Sequence, residues 1–208
     1  MALFPAFLKI ALRRCLVVGA GPIAEEKIAG LLVAGAEIHA VAPKATPQIR
    51  AWARANKITW DARPYRPSDL AGAFLVIAAT CSPGLHAAIY ADARRLGVLC
   101  NVVDDPEHCD FYYGAVVRRG TLQIAISTEG HSPSLAQRLK KKIAREVGPE
   151  YAAWLAEIGE IRKQLLTEGK LTSARRKKLL HQLASEASFK KFQRRRKKSE
   201  RKTRRRSH

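Results

Sequence analysis

An apolar, β-branched run at Leu16, Val17 and Val18 passes through Gly19-Ala-Gly21 straight into the helical pattern Pro22-Ile-Ala-Glu-Glu-Lys-Ile-Ala. A strand that becomes a helix within three residues presents the helix's first amides, which have no intrahelical partners, at the end of the strand. Gly19 permits the tight turn, Gly21 leaves the backbone open to a bulky anion, and small Ala24 lets the helix pack close on the strand. Pro22 suits a first helical turn. Free amides at the positive end of a helix dipole bind a pyrophosphate, so Gly19 and Gly21 are candidate dinucleotide-binding residues. The glycines alone also fit an ordinary strand-to-helix turn; the strand before them and the helix after them favour the nucleotide.

The acid that usually receives the adenosine ribose, about 20 residues on at the end of the second strand, is absent. Residues 37–42 end in Pro43-Lys44 instead. Backbone groups of Pro43 and Lys44 would then receive the ribose, and the Lys44 charge tolerates a 2′-phosphate. NAD against NADP stays open on these residues alone.

Apolar runs of β type recur at 15–18, 37–42, 74–80 and 98–103, with helical patterns at 24–34 and 86–96; 47–55 reads as a helix and 58–60 as a short strand. This alternation predicts an α/β fold with a Rossmann-like, doubly wound parallel sheet, a nucleotide-binding domain over 1–112. Residues 113–118 and 121–127 then flank Arg119-Gly120 as a hairpin. Ser132-Pro133 opens a helix carrying Leu135, Leu139, Ile143 and Val147. A hairpin arm exposes strand edges, so 113–147 is expected to be the dimerisation segment of a homodimer. The helical pattern continues over 148–192, broken near Gly169, as a small C-terminal helical domain. No apolar residue follows Phe192, and 193–208 is expected to be a basic disordered tail.

Residues 189–208 hold 12 Lys and Arg against one Glu, so the tail carries +11 of the net +20 and the body is basic without it. No aromatic platform or recognition helix accompanies the run, which argues against specific nucleic-acid reading and leaves nonspecific polyanion contact. A dinucleotide-sensing or polyanion-binding module using this tail is the alternative to an enzyme. Cys15, Cys81, Cys100 and Cys109 lack paired Cys-x-x-Cys spacing, so reduced, mostly buried thiols of a cytoplasmic protein are expected, and no metal site. Residues 2–12 are apolar but interrupted by Lys9 and followed by Arg13-Arg14, which reads as an arm into the first strand rather than a signal peptide. No stretch approaches the length that spans a bilayer.

Ligands of open α/β sheets collect beyond the carboxyl ends of the strands. The glycine turn, Thr80-Cys-Ser-Pro83 and Asn101-Val-Val-Asp-Asp105 converge there. Thr80 is thus a candidate cofactor contact, and Asp104 and Asp105 could both stand near the nicotinamide end, one of them as a catalytic aspartate, although paired acids before a proline also signal a turn. Asn101 either caps a turn or contacts substrate.

Leu16-Val-Val-Gly-Ala-Gly with Ala24-Glu-Glu-Lys27, Val41-Ala-Pro43, Ile77-Ala-Ala-Thr80, Asn101-Val-Val-Asp104 and Ile124-Ala-Ile-Ser-Thr-Glu-Gly-His-Ser-Pro133 together resemble the precorrin-2 dehydrogenase and sirohydrochlorin ferrochelatase family. That family includes the dehydrogenase module of sirohaem synthase. The likeness covers residues 4–147 well and the helical part loosely. It implies NAD-dependent oxidation of precorrin-2 to sirohydrochlorin and, in some members, insertion of Fe²⁺ to give sirohaem. Under this resemblance Pro22, Ile23, Pro43 and Lys44 match NAD-contacting positions. Asp104 matches an aspartate implicated in both activities. Ser127 and Thr128 match a hydroxyl pair lining the tetrapyrrole cleft, the second often serine in relatives, and His131 lies beside them. A polycarboxylate substrate suits a basic cleft, with Arg118, Arg119, Arg138 and Lys140 as flanking candidates; each reads equally as a solvated surface charge.

Overall fold

A computed structural model of the chain describes residues 3–167 and 172–204, which divide into two compact units meeting in sequence at Tyr112 and Tyr113. The first unit runs β1 (Arg14–Val18), α1 (Pro22–Val33), β2 (Glu37–Val41), α2 (Pro47–Arg54), β3 (Thr59–Asp61), β4 (Leu75–Ala78), α3 (Pro83–Leu96) and β5 (Leu99–Val102). The strands pair in the order β3-β2-β1-β4-β5 and every pairing is parallel. Successive side chains of a strand point to opposite faces, and here both faces are covered. Cys15 and Val17 of β1 and Leu75 and Ile77 of β4 pack with Ala24, Ile28 and Leu31 of α1 and Ile49 of α2. Leu16, Val18, Val76 and Ala78 pack with Ile89 and Ala93 of α3. Two-sided burial is why these strands read as unbroken apolar runs rather than alternating ones. The expected doubly wound sheet is present, and its order reverses between β1 and β4, the place where such sheets open a crevice.

Beyond β3 the chain is held by charge. Arg63 grips Asp69 with two hydrogen bonds, at 2.9 and 2.7 Å, and reaches Asp61 at 2.7 Å. The Arg66 amide donates to Asp69 at 2.8 Å. The Arg63 guanidinium, followed by the Arg66 amide, holds the buried Asp69 carboxyl below its ordinary range.

The second unit opens with β6 (Ala115–Arg119) and β7 (Leu122–Ile126), antiparallel with Ala115 opposite Ile126 and Arg119 opposite Leu122. Four helices follow: α4 (Pro133–Glu146), α5 (Glu150–Thr167), α6 (Ser173–Leu183) and α7 (Glu186–Arg204). Tyr151 and Trp154 of α5 meet Phe189 of α7 with ring centroids 4.5 and 4.8 Å away. The expected break near Gly169 lies outside the described residues. A second break, unread in the sequence, falls at Ala184-Ser185, where Ser185 Oγ accepts from the Ser188 amide at 3.3 Å and starts α7. The segment expected to be disordered from 193 is helical through Arg204. Its Lys, Arg, Gln and Glu are good helix formers without Gly or Pro, and Gln193 and Arg195 bond to Glu150 and Glu157 of α5 at 3.3 and 2.5 Å.

The Asp69 contacts carry a sign that can be measured. A carboxyl held below its ordinary value stabilises the fold above that value, and the contribution disappears as pH falls through the folded-state value. Asp69→Asn is expected to cost about 1.5–3 kcal/mol near pH 7. The gap in Tm from wild type should narrow as pH falls below the ordinary carboxylate range and close only below the lowered folded-state value, where the wild-type carboxyl also becomes neutral. A gap independent of pH in thermal melts would overturn this account.

Candidate functional site

At the β1/β4 switch point a crevice of about 480 Å³ opens at the carboxyl end of the sheet. Its wall comes from the glycine turn through Gly21, Pro22 and Ile23, from the turn after β4 through Ala79, Thr80, Cys81 and Pro83, and from the end of β5 through Val103, Asp104 and Asp105. His86 of α3 completes it.

The two glycines act differently. Gly19 has φ +107°, and a Cβ there would lie 2.1 Å from the Ala79 carbonyl oxygen, so backbone conformation and close approach both demand glycine. Gly21 precedes α1 in an extended conformation, and a Cβ there would meet nothing within 4 Å. Its bareness leaves room for a ligand. The first backbone bond of α1 is Glu25 N–H to Gly21 O at 2.9 Å, so the amides of Ile23 and Ala24 precede the helical ladder. An open space before free helix amides fits a pyrophosphate.

The segment after β2 is tied to this turn. The Thr46 amide donates to Ala20 O at 3.0 Å, and Thr46 Oγ1 donates to Glu25 Oε2 at 2.5 Å while accepting the Ile49 amide at 3.2 Å to cap α2. Pro43 and Lys44 are exposed at the start of this segment. The crevice proper is lined without them.

Asp104 and Asp105 separate clearly. Asp105 pairs with His108 Nδ1 at 2.7 Å. The carboxyl of Asp104 makes no hydrogen bond or ion pair with the described residues, and Asp104 is exposed. Its backbone is left-handed at φ +61°, a conformation that short polar side chains tolerate. The β5 ladder ends at Val103 N–H to Ala78 O, 2.9 Å, and this inversion immediately afterwards delivers Asp104 to the crevice. A free carboxylate there can accept a proton.

Asn101 does not line the crevice. It is 6% exposed, and its Nδ2 donates to the Phe111 carbonyl at 2.8 Å and lies 3.4 Å from Cys109 Sγ. The amide ties β5 to the loop at Phe111, because a buried side-chain amide must find buried acceptors.

Within the second unit, Ser127 Oγ accepts the Glu129 amide at 3.2 Å and Thr128 Oγ1 the Ser132 amide at 3.3 Å. Both hydroxyl protons remain without an acceptor among the described residues. His131 is exposed on the same turn, its amide bonded to Thr128 O at 2.8 Å. Arg119 is otherwise engaged: its guanidinium bonds the Val147 and Ala144 carbonyls at 2.8 and 2.9 Å, closing the C-terminal turn of α4. Capping accounts for this arginine, a role apart from both alternatives that the sequence left open, a flank of the cleft and a solvated surface charge. Arg118 and Arg138 are exposed and Lys140 is half-buried.

Two of the four free thiols, Cys15 and Cys100, are buried and Cys109 is half-buried, but Cys81 is exposed on the crevice wall. Burial pushes the Cys15 thiol up to about 11 and, with Asp110 nearby, the Cys100 thiol up to about 12. Among the described residues no group of three or more His, Cys, Asp or Glu is placed to hold a metal ion. His86 and the Thr46–Glu25 bond were not singled out in the sequence, and Cys81 was read there as one of four thiols and as part of the turn after β4, without a role in the crevice. Only Thr46-Pro47, a cap followed by a first-turn proline, carried a readable signal.

Comparison with known proteins agrees with this geometry. Residues 6–115 match a family described as putative NAD(P)-binding, and residues 119–146 match one described as sirohaem biosynthesis protein central. A siroheme synthase of Nitrosococcus oceani is 38% identical over 151 residues, 73% of this chain and 32% of that protein. One from Neisseria meningitidis serogroup B is 37% identical over 175 residues, 83% of this chain and 35% of that protein. The chain thus spans roughly a third of the length of these relatives. Among solved structures, SirC, a precorrin-2 dehydrogenase, matches with a TM-score of 0.76 and 26% identity, over 94% of this chain and all of that one (100%).

The two glycines should separate by experiment. Gly19→Ala is expected to destabilise the fold by on the order of 2–5 kcal/mol, read as a lowered Tm. Gly21→Val should melt like wild type while losing dinucleotide binding in a titration; retained binding would place the pyrophosphate elsewhere. Under native conditions a thiol reagent should modify Cys81 well before Cys15 and Cys100, and NAD⁺ should slow that modification. Mapping the labelled peptide by mass checks both points.

Proposed function

The chain belongs to the putative NAD(P)-binding family, joined here to the central segment of sirohaem-biosynthesis proteins, and from that membership we propose that it oxidises precorrin-2 to sirohydrochlorin with NAD⁺. The observation that carries the proposal is the shared crevice: the anion-ready glycine turn and the unpaired Asp104 line one cavity at the switch point.

In this reading the amides of Ile23 and Ala24 bind the pyrophosphate, Gly19 and Gly21 admit it, and Pro22, Pro43, Lys44 and Thr80 border the dinucleotide. NAD⁺ supplies the two-electron acceptor. Asp104 accepts the proton released as the tetrapyrrole gives up a hydride, and its left-handed turn holds the carboxylate at the crevice rather than in the loop network that occupies Asp105. Ser127, Thr128 and His131 contact the substrate, a role supported by the family likeness and by the two hydroxyl protons left free to donate. The +20 charge favours capture of a polycarboxylate. The same carboxylate would take up the pyrrole protons lost on insertion of Fe²⁺, which makes chelation a separable second activity of this proposal.

The proposal extends to the assembly. Residues 1–112 form the NAD-binding domain, 113–147 the dimerisation segment and 148–192 the helical domain of a cytoplasmic homodimer. Support comes from a hairpin of only two strands, each with one pairing partner in its sheet, and from four free thiols. No described helix is long and apolar enough to cross a membrane.

Asp104→Asn keeps a residue that tolerates left-handed backbone and removes the base. NADH formation from precorrin-2 should fall by about 10²- to 10⁴-fold with the Kd for NAD⁺ changed less than about threefold. Unchanged turnover would remove Asp104 from the mechanism. A parallel assay of Fe²⁺ insertion into sirohydrochlorin reads the second activity separately.

A further inference from the structure

His86 stands in the first turn of α3, 8% exposed, with its ring on the wall of the crevice. Its Nε2 lies 2.9 Å from the Thr80 carbonyl oxygen. A carbonyl only accepts, so Nε2 carries the proton, and Nδ1 of the neutral ring is an acceptor. This Nδ1 has no hydrogen-bond partner among the described residues. Its access to a ligand has to run through the space beside the ring. For a ring this deeply placed, the access comes from the crevice it lines.

The tautomer is therefore set from behind by the Thr80 carbonyl, and a single acceptor faces the space where a ligand would lie. The remaining wall is short of acceptor side chains on this side. Cys81 is a weak one, Pro83 has none, and Thr80 Oγ1 already faces the Ser82 amide at 3.5 Å. Asp104 and Asp105 belong to the other strand end, and Asp105 is occupied by His108. An unpartnered imidazole nitrogen in a ligand crevice is poised for a hydroxyl or amide donor.

We propose that His86 is a coenzyme-binding residue whose Nδ1 accepts a hydrogen bond from a ribose hydroxyl or the carboxamide N–H of the bound dinucleotide. This rests on the dinucleotide reading of the crevice and adds a contact that neither the glycine turn nor Asp104 supplies. Two substitutions divide the ring's functions. His86→Gln keeps an N–H able to reach the Thr80 carbonyl and removes the acceptor at the Nδ1 position. His86→Asn places an amide oxygen near the Nδ1 position and gives up the Thr80 bond.

The experiment measures the Kd for NAD⁺ by calorimetry on the full chain and both variants, with melts to verify folding. His86→Gln should weaken NAD⁺ by about 3- to 10-fold, and His86→Asn should bind within about twofold of wild type. Titration with ADP-ribose then identifies the donor. A penalty seen with NAD⁺ but not ADP-ribose assigns the carboxamide, and one seen with both assigns the ribose. His86→Gln binding like wild type, or His86→Asn binding more weakly than His86→Gln, overturns the proposal, since the ring would then serve only to hold Thr80. Failure of the wild-type chain to bind NAD⁺ at all would instead overturn the dinucleotide reading itself.

Discussion

The closeness of β1 and β4 at their carboxyl ends governs the site. At Gly19 the two backbones leave no room for even one carbon, the Ala79 carbonyl standing 2.1 Å from where a Cβ would be. Register carries that constraint sideways, because Val18 lies opposite both Val41 and Ala78, and Ala78 lies opposite Val102. Four strands thus finish on one level line across the sheet. The segments that leave this line are the glycine turn, the Pro43–Thr46 segment, the Thr80 turn and the Asp104 turn, so one close contact between two strands sets the height at which the walls of the crevice begin.

Much of this was legible because it depends on local chemistry. A strand running through Gly-x-Gly into a helix has few other geometries available, and the β-branched runs are continuous because both faces of a parallel sheet are buried. Groups whose meaning depends on distant partners were not legible. Asn101 has the same amide whether it faces a ligand or the Phe111 carbonyl, and nothing in the sequence says that Arg119 will find the end of a helix about 25 residues away. His86 looked like one more residue on a half-apolar helix. The tail shows the limit of reasoning from missing hydrophobicity: absent apolar residues remove the drive to form a core, but they do not remove helix propensity, and two glutamates on α5 are enough to anchor its first turns.

The two units are built on different economies of burial. In the first, the largest fully buried side chains among the described residues all lie on the sheet, its helices and the turn at Leu70. In the second, α5 and α6 contain no fully buried residue, and the packing centres on Tyr151, Trp154 and Phe189. A rigid frame for the dinucleotide and a thinner, strongly cationic helical unit are physically different materials, with local opening expected to concentrate in the second.

The left-handed backbone at Asp104 also acts as a filter on drift. Most side chains are disfavoured at φ +61°, so replacements there are screened by conformation before chemistry is tested. Asparagine passes that screen readily while abolishing the negative charge. Loss of that charge would therefore leave the shape of the turn intact, and resemblance of outline alone would not reveal it.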